Sequence, residues 1–240
     1  MVTTKEVKKF AKTLGADFFG VADLSCAEDA IRRQGGDAAA EYPRAVSIGL
    51  RLPHSVVDQL PDRAKISVAK IYKQHAYDVI NQRLDHITSR ICSYLESNGC
   101  KSFPVPASQI VDDDNLLGVF SNKMAAHLAG LGWIGKSCML ITPEVGPRVR
   151  WATVLTHADI DKTGEPIEER CGSCTDCVDI CPANAFTGRS FKADEYRDLR
   201  FDVRKCQNYF DELKEEMGIA ICGMCLYVCP HGKTGSAALS

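Results

Sequence analysis

The sequence predicts an α+β chain in two parts: an α/β domain over residues 1–158 and a small cysteine-bound module over residues 159–240. Three observations predict it. Helical and strand-like patterns alternate through about residue 157. A polar, turn-rich stretch from Asp159 to Arg170 (DIDKTGEPIEER) then interrupts them and reads as a linker. After it come eight of the chain's twelve cysteines.

The first helix is marked by a capping box, Thr3 with Glu6, and by Val7, Phe10, Ala11 and Leu14 at helical spacing before Gly15. Phe18 to Ala22 (FFGVA) reads as a short buried strand, and Ala45 to Leu52 (AVSIGLRL), bounded by Pro43 and Pro53, as another. From Asp62 to Ser97 the period is helical. Ile66, Ala69, Tyr72, Val79, Ile87, Ile91 and Leu95 fall near one stripe, and Asn98-Gly99 is the stop. Residues 101–106 (KSFPVP) are expected to be extended because of their prolines. Ser121 caps a helix expected to run through Ala129. Ser137 to Thr142 and Arg150 to Thr156 read as strands on either side of a turn from Pro143 to Pro147.

Composition narrows the function. Hydrophobic residues make up 45% and charged residues 25%, the mix of a soluble globular protein. A net charge of −2 gives no bulk attraction to nucleic acid or anionic membranes. The first residues carry Lys5, Lys8, Lys9 and Lys12 without an apolar run, so no signal peptide is expected. No segment approaches the ~18 apolar residues that span a bilayer. A cytosolic location is expected.

In a reducing compartment, clustered cysteines read as metal ligands rather than disulfides. The first motif is Cys171-x2-Cys174-x2-Cys177-x3-Cys181-Pro182. Three closely spaced thiolates let one loop wrap a corner of a cubane, and a fourth before proline reaches the other cluster of a two-cluster ferredoxin. The second motif is less regular: Cys206 stands alone before Cys222-x2-Cys225-x3-Cys229-Pro230. Completing the pseudo-symmetry pairs Cys171, Cys174 and Cys177 with Cys229, and Cys206, Cys222 and Cys225 with Cys181. Zinc is the alternative for paired CxxC elements. Yet the x2, x2, x3 run ending in Cys-Pro is not a zinc-ribbon spacing, and eight cysteines divide evenly into two [4Fe–4S] clusters. The expected role is low-potential electron transfer. Cys26, Cys92, Cys100 and Cys138 are scattered.

Gly130-Leu-Gly132-Trp133-Ile-Gly135-Lys136-Ser137 has the letters of both a Walker A loop and a dinucleotide fingerprint. Both motifs need a strand before the glycines and a helix after them, so that a helix N-terminus faces phosphate. Here the expected order is reversed, which disfavours ATP or NAD. Three glycines around a tryptophan permit close backbone approach, either to a flat ligand or in tight helix–strand packing.

Ala129 to Lys136, then Leu140 to Glu144 (LITPE), Val154-Leu-Thr156 and the double-cluster motif together resemble epoxyqueuosine reductase and its shorter relatives. Reductive dehalogenases share the distant plan. The resemblance covers about residues 120–230 and continues in outline before them. It implies a nitroreductase-like α/β domain holding a corrinoid (cobalamin) without a protein histidine on its lower face, followed by a bacterial ferredoxin-like two-cluster module that reduces it. Gly130, Gly132, Trp133, Gly135 and Lys136 would then lie against the cofactor, with Lys136 meeting its phosphate.

Two departures from the family pattern stand out. The chain ends ten residues after Pro230, where the tRNA-modifying enzymes have a helical-repeat extension, so a tRNA substrate is not expected. The family's proton-donating aspartate aligns near Leu116. Asp112, Asp113 and Asp114 are the nearest acids, and Asp113 and Asp114 are the candidates under a shifted alignment. The competing reading is a solvated turn before the helix.

Other side chains favour packing. His127 and His157 lack a second ligand at helical spacing. Cys138 is expected to face the core, Arg148 and Arg150 to make strand-edge salt bridges, and Tyr72, Tyr77 and Tyr94 to pack on the long helix. Three functions follow: a corrinoid-dependent reductase of a small molecule, a corrinoid-free electron carrier, or a reductase acting on corrinoids or corrinoid proteins. A flavin in the α/β domain is a further possibility. Each draws on a low-potential donor of ferredoxin or flavodoxin type.

Overall fold

The computed structural model describes residues 1–193 and 195–233. In chain order, α1 (Thr4–Thr13), β1 (Phe18–Asp23), α2 (Glu28–Ala40) and β2 (Arg44–Arg51) come first. Then come α3 (His54–Val57), α4 (Ile66–Tyr72), a π-helical stretch (Lys73–Val79), α5 (Ile80–Ser97), β3 (Ser102–Val105) and α6 (Asn122–Leu128). Next are β4 (Trp133–Ile134), β5 (Leu140–Ile141) and β6 (Val149–Thr156). The last elements are α7 (Asp176–Asp179), α8 (Val203–Met217), α9 (Met224–Val228) and α10 (Pro230–Lys233).

The chain parts into two compact units, neither continuous in sequence. Residues 1–50, 80–132 and 150–167 form the first, and 51–79, 133–149 and 168 onward form the second. This differs from the division expected at residue 158. Segments 51–79 and 133–149 join the cysteines, while 159–167 stay with the sheet.

In the first unit, a four-stranded sheet has the order β1-β2-β6-β3. β1 pairs antiparallel with β2 in the register Phe18↔Gly49 to Asp23↔Arg44, and β3 pairs antiparallel with β6, Ser102 opposite Thr156. β1, β2 and β6 are buried along nearly their whole length, as strands covered on both faces must be. One face packs Ala22, Ala45, Val105 and Leu155 against Ile31 and Ala39 of α2 and Ala125 of α6. α1 packs on β1 and α5, and α5 packs on β3. The capping box forms: Glu6 N–H donates to Thr3 Oγ1, and Thr3 N–H to Glu6 Oε2. Ser121 caps α6 as expected, accepting from Met124 N–H.

Three expectations change. The helical pattern from Asp62 to Ser97 divides into α4, the π stretch and α5, and Ile66 is exposed rather than on the buried stripe. The polar stretch after Asp159 is no loose linker. Thr163 N–H donates to Val21 O and Thr163 Oγ1 accepts from Val21 N–H, which satisfies an edge of β1 that would otherwise need water. The strand expected over Ser137 to Thr142 shrinks to β5, because Gly135 to Met139 turns back on itself. Gly135 N–H donates to Met139 O, Cys138 N–H donates to Gly135 O, and β4 pairs antiparallel with β5. Among the described residues, no helix is long and apolar enough to cross a membrane.

Candidate cluster-binding site

The second unit holds all eight cysteines of the two motifs. Cys177 lies in α7 and Cys225 in α9, and these two short helices pack together. Cys206 sits in the first turns of α8, whose N-terminus is capped by Asp202 accepting from Lys205 N–H. Cys229 caps the C-terminus of α9.

The thiols sort into two neighbourhoods. Burial pushes Cys177 up to about 11, and the charges of Cys171, Cys229 and Cys174 add to the effect. Cys229 is also raised to about 11, by burial and then by Cys171 and Cys174, against hydrogen bonds from the His231 and Gly232 amides. Burial lifts Cys206 to about 11, with Cys222 and Cys181 as the neighbours that add to it. Burial lifts Cys225 strongly as well, with Cys222, Cys206 and Cys181 next in effect and Cys177 after them. Each set of four combines cysteines from both sequence motifs. Such crowding of thiols is costly without a metal that takes them as thiolates. Among the described residues, no three His, Cys, Asp or Glu side chains converge tightly enough to hold one ion. Cubane thiolates bind separate irons and stand further apart. The donor set fits two [4Fe–4S] clusters.

The last residues of the glycine loop, 133–136, border the first neighbourhood. Gly130 ends α6 in a Schellman arrangement at φ 76°: its N–H donates to His127 O, and Leu131 N–H donates to Ala126 O. A Cβ on Gly130 would lie 2.9 Å from Glu165 O. Gly132 O accepts from His127 Nδ1–H at 3.0 Å. A Cβ on Gly135 would stand 3.2 Å from Cys171 Sγ. Lys136 is 7% exposed, and its ammonium donates to Gly172 O at 2.7 Å and Cys174 O at 3.1 Å. It is engaged by the cysteine loop rather than left for a cofactor phosphate. Trp133 is 1% exposed and its indole N–H lacks a partner in hydrogen-bond geometry. That N–H and the Lys136 amide both act on the Cys171 thiol, which burial raises and they lower.

The second neighbourhood has its own neighbour from outside the motifs. Burial raises Cys222, and Arg63 lowers it by charge and hydrogen bond. Arg63 closes the turn Leu60–Asp62, which packs on α9. A Cβ on Gly223 would meet Leu60 Cδ1 and Tyr72 Oη at 2.9 Å. Glu169, two residues before Cys171, also acts on that thiol. Arg63 carries no spacing signal in the sequence, and only the fold brings it to Cys222.

The remaining residues fall out as follows. Arg148 is fully buried, with Asp58 Oδ1 at 2.7 Å and His54 Nδ1 at 2.7 Å, and Gly232 packs against its stem. Arg150 donates to Asn81 Oδ1 through Nε and Nη2. Asp112 accepts from Asn115 N–H and Nδ2 in a tight turn bridged to Leu117. Asp113 and Asp114 lie exposed in that turn, and Leu116 takes a left-handed φ of 50°. Cys138 is buried, Tyr72 packs on Tyr77, Phe10 on Tyr94, and His157 on Tyr42.

His127 gives a pH prediction. Burial holds its imidazole below the ordinary 6.5, against the opposing bond to Gly132. Below about pH 6.5 the unfolded chain binds this proton more readily, so stability present at neutral pH is lost on acidification. Denaturation midpoints between about pH 6.5 and 5 are expected to fall less steeply for His127→Gln than for the parent protein.

Residues 170–232 match the family model for a 4Fe-4S double cluster binding domain. The chain is 28% identical over 191 residues to the epoxyqueuosine reductase of Bacillus anthracis, covering 79% of this chain and 47% of that protein. It spans about half the length of several curated relatives it matches. Among solved structures, a reductive dehalogenase whose structure suggests a mechanism for B12-dependent dehalogenation aligns with TM-score 0.70. The identity is 19%, over 98% of this chain and 34% of the other. An epoxyqueuosine reductase solved with an epoxyqueuosine-modified tRNA stem loop aligns with TM-score 0.60 and 20% identity, over 95% of this chain and 65% of the other. The chain thus shares the fold of these reductases, carries a 4Fe-4S double cluster binding domain at residues 170–232, and resembles epoxyqueuosine reductase in sequence.

Proposed function

We propose that this chain is an iron–sulfur oxidoreductase that passes electrons through two [4Fe–4S] clusters to a cofactor or substrate held by its α/β unit. The observation that carries this reading is the sorting of eight thiols into two groups of four that interleave the sequence motifs. Cys171, Cys174, Cys177 and Cys229 hold one cluster, and Cys181, Cys206, Cys222 and Cys225 the other. When bound, the clusters supply one-electron transfer at low potential. The chain's own groups set that potential: burial favours the less charged oxidised form, and amides at Cys171, Cys222 and Cys229 favour the reduced one. The partner class this implies is a low-potential electron donor of ferredoxin or flavodoxin type.

A corrinoid is the cofactor we assign to a nitroreductase-like α/β part. The support is the fold shared with a dehalogenase described as B12-dependent. When bound, a corrinoid supplies a cobalt centre that takes up the electrons and delivers them to substrate. Gly130, Gly135 and Lys136 have other work in this chain, so its cradle rests on other residues. The substrate is a small molecule or a corrinoid, reduced in the cytoplasm. Because a relative was solved with a modified tRNA stem loop, that stem loop belongs in the substrate panel.

The test is anaerobic reconstitution followed by iron analysis and EPR titration with cob(II)alamin. About eight irons per chain and low-temperature signals of reduced [4Fe–4S] clusters are expected. Loss of the nitrogen hyperfine splitting, saturating at about one cobalamin per chain, marks a base-off corrinoid site. If the cob(II)alamin spectrum stays that of the free cofactor, the corrinoid assignment fails and the electron-carrier reading replaces it.

A further inference from the structure

Lys136 presents an electrostatic problem. Its ammonium is almost wholly buried, and its two contacts are neutral carbonyls, Gly172 O and Cys174 O. No carboxylate pairs with it among the ion pairs of the described residues. A buried charge without a counter-charge is expensive. A thiolate-ligated cluster on the adjoining cysteine loop would supply the missing negative charge. Gly172 and Cys174 are the residues just after Cys171 and at the second ligand, so the ammonium grips the turn that carries two of the four thiols. Gly135, the residue before it, has no room for a side chain against Cys171 Sγ. The loop is shaped to approach the sulfur.

We infer that Lys136 is a positioning residue for the cluster of Cys171, Cys174, Cys177 and Cys229: its ammonium fastens the Gly172–Cys174 turn and supplies the buried positive charge that favours the reduced cluster. This rests on the reading of those cysteines as one [4Fe–4S] site. The cluster gains a negative charge when it takes an electron, so a cation fixed on its binding loop stabilises the reduced form more than the oxidised one. The ammonium is held in place by the Gly172 and Cys174 carbonyls, and at 7% exposure the residue has little water around it to screen the charge. Glu169, which also contacts Cys171, acts in the opposite sense. At the second cluster it is Arg63 that acts on a ligand, Cys222. The two clusters are therefore unequal, and the inequality comes from residues outside the cysteine motifs.

The experiment is redox-poised EPR on the reconstituted full chain, comparing the parent with Lys136→Met and Lys136→Arg. Methionine keeps the stem but removes the charge, and arginine keeps the charge. Signals are assigned with Cys181→Ser, which lacks the other cluster. In Lys136→Met the Cys171 cluster is expected to be at least tenfold less reduced at the parent's midpoint, a shift of about 59 mV or more for one electron. The other cluster stays put, and Lys136→Arg lies near the parent. Selective loss of the Cys171 cluster in Lys136→Met, with Lys136→Arg intact, supports the clamp equally. Full iron with an unmoved potential overturns the inference, as does an equal change in both clusters. Absence of [4Fe–4S] signals from the parent itself would instead overturn the reading of the cysteines.

Discussion

Cys181→Ser is expected to cost the protein one cluster and leave the other in place, although Cys181 closes the first sequence motif. Its charge acts on Cys206, Cys222 and Cys225, with which we propose it binds a cluster. A serine hydroxyl is a poor thiolate substitute, because its proton is far harder to remove and its oxygen is a hard donor. A cubane short of one ligand is exposed and labile. Reconstituted Cys181→Ser should therefore bind roughly half the iron of the parent, and when reduced give the signal of one isolated cluster. Cys174→Ser is the complement: it should lose the cluster that Cys181→Ser keeps. If the two variants retain the same cluster, the crossed pairing is wrong.

Gly146→Ala should be among the most damaging single substitutions in the chain. Gly146 sits at φ 58° in the turn after β5, where its N–H and O pair with Thr142. An L-residue in that left-handed conformation costs about 1–2 kcal/mol. The added methyl would also lie 2.4 Å from Gly232 N and 2.6 Å from His231 C, backbone atoms that cannot rotate aside. Overpacking of this kind adds about 1–3 kcal/mol. His231 and Gly232 supply the amides that bond Cys229, so the displacement acts on a cluster ligand as well as on stability. A fall in the apparent melting temperature at fixed scan rate, with faster iron release, is expected. Gly218→Ala is the control, since Gly218 is left-handed at φ 72° and ψ 5° and has nothing within 4 Å of the added carbon. It isolates the conformational part of the cost. If Gly146→Ala melts no earlier than Gly218→Ala, the close approach to α10 does not constrain the protein.

Local chemistry was legible along the chain wherever the interaction was local. The Thr3–Glu6 box, the Ser121 cap, the turn from Pro143 to Pro147 and strands β1, β2, β3 and β6 follow from residues a few positions apart. The order of elements around the glycine loop was read correctly: α6 precedes it and the short strands β4 and β5 follow. Its β4–β5 hairpin was missed: Gly135 and the left-handed Cys138 turn the chain between two-residue strands too short to show a period. The salt bridge of Arg148 was anticipated, but its partners are His54 and Asp58, some ninety residues earlier in the chain.

By itself the sequence determined the chemistry at the metal: eight thiols whose spacing suits two cubanes, with a Cys-Pro closing each run. Ligand type and spacing are covalent properties of the chain, and a cluster selects for them directly. The tertiary structure decided what surrounds those thiols. Lys136, Trp133 and Gly135 stand at Cys171, and Arg63 stands at Cys222, from segments 35 to 160 residues away. No periodicity or spacing encodes such contacts, because they exist only where separate segments are packed into one unit and the buried charges there must find partners.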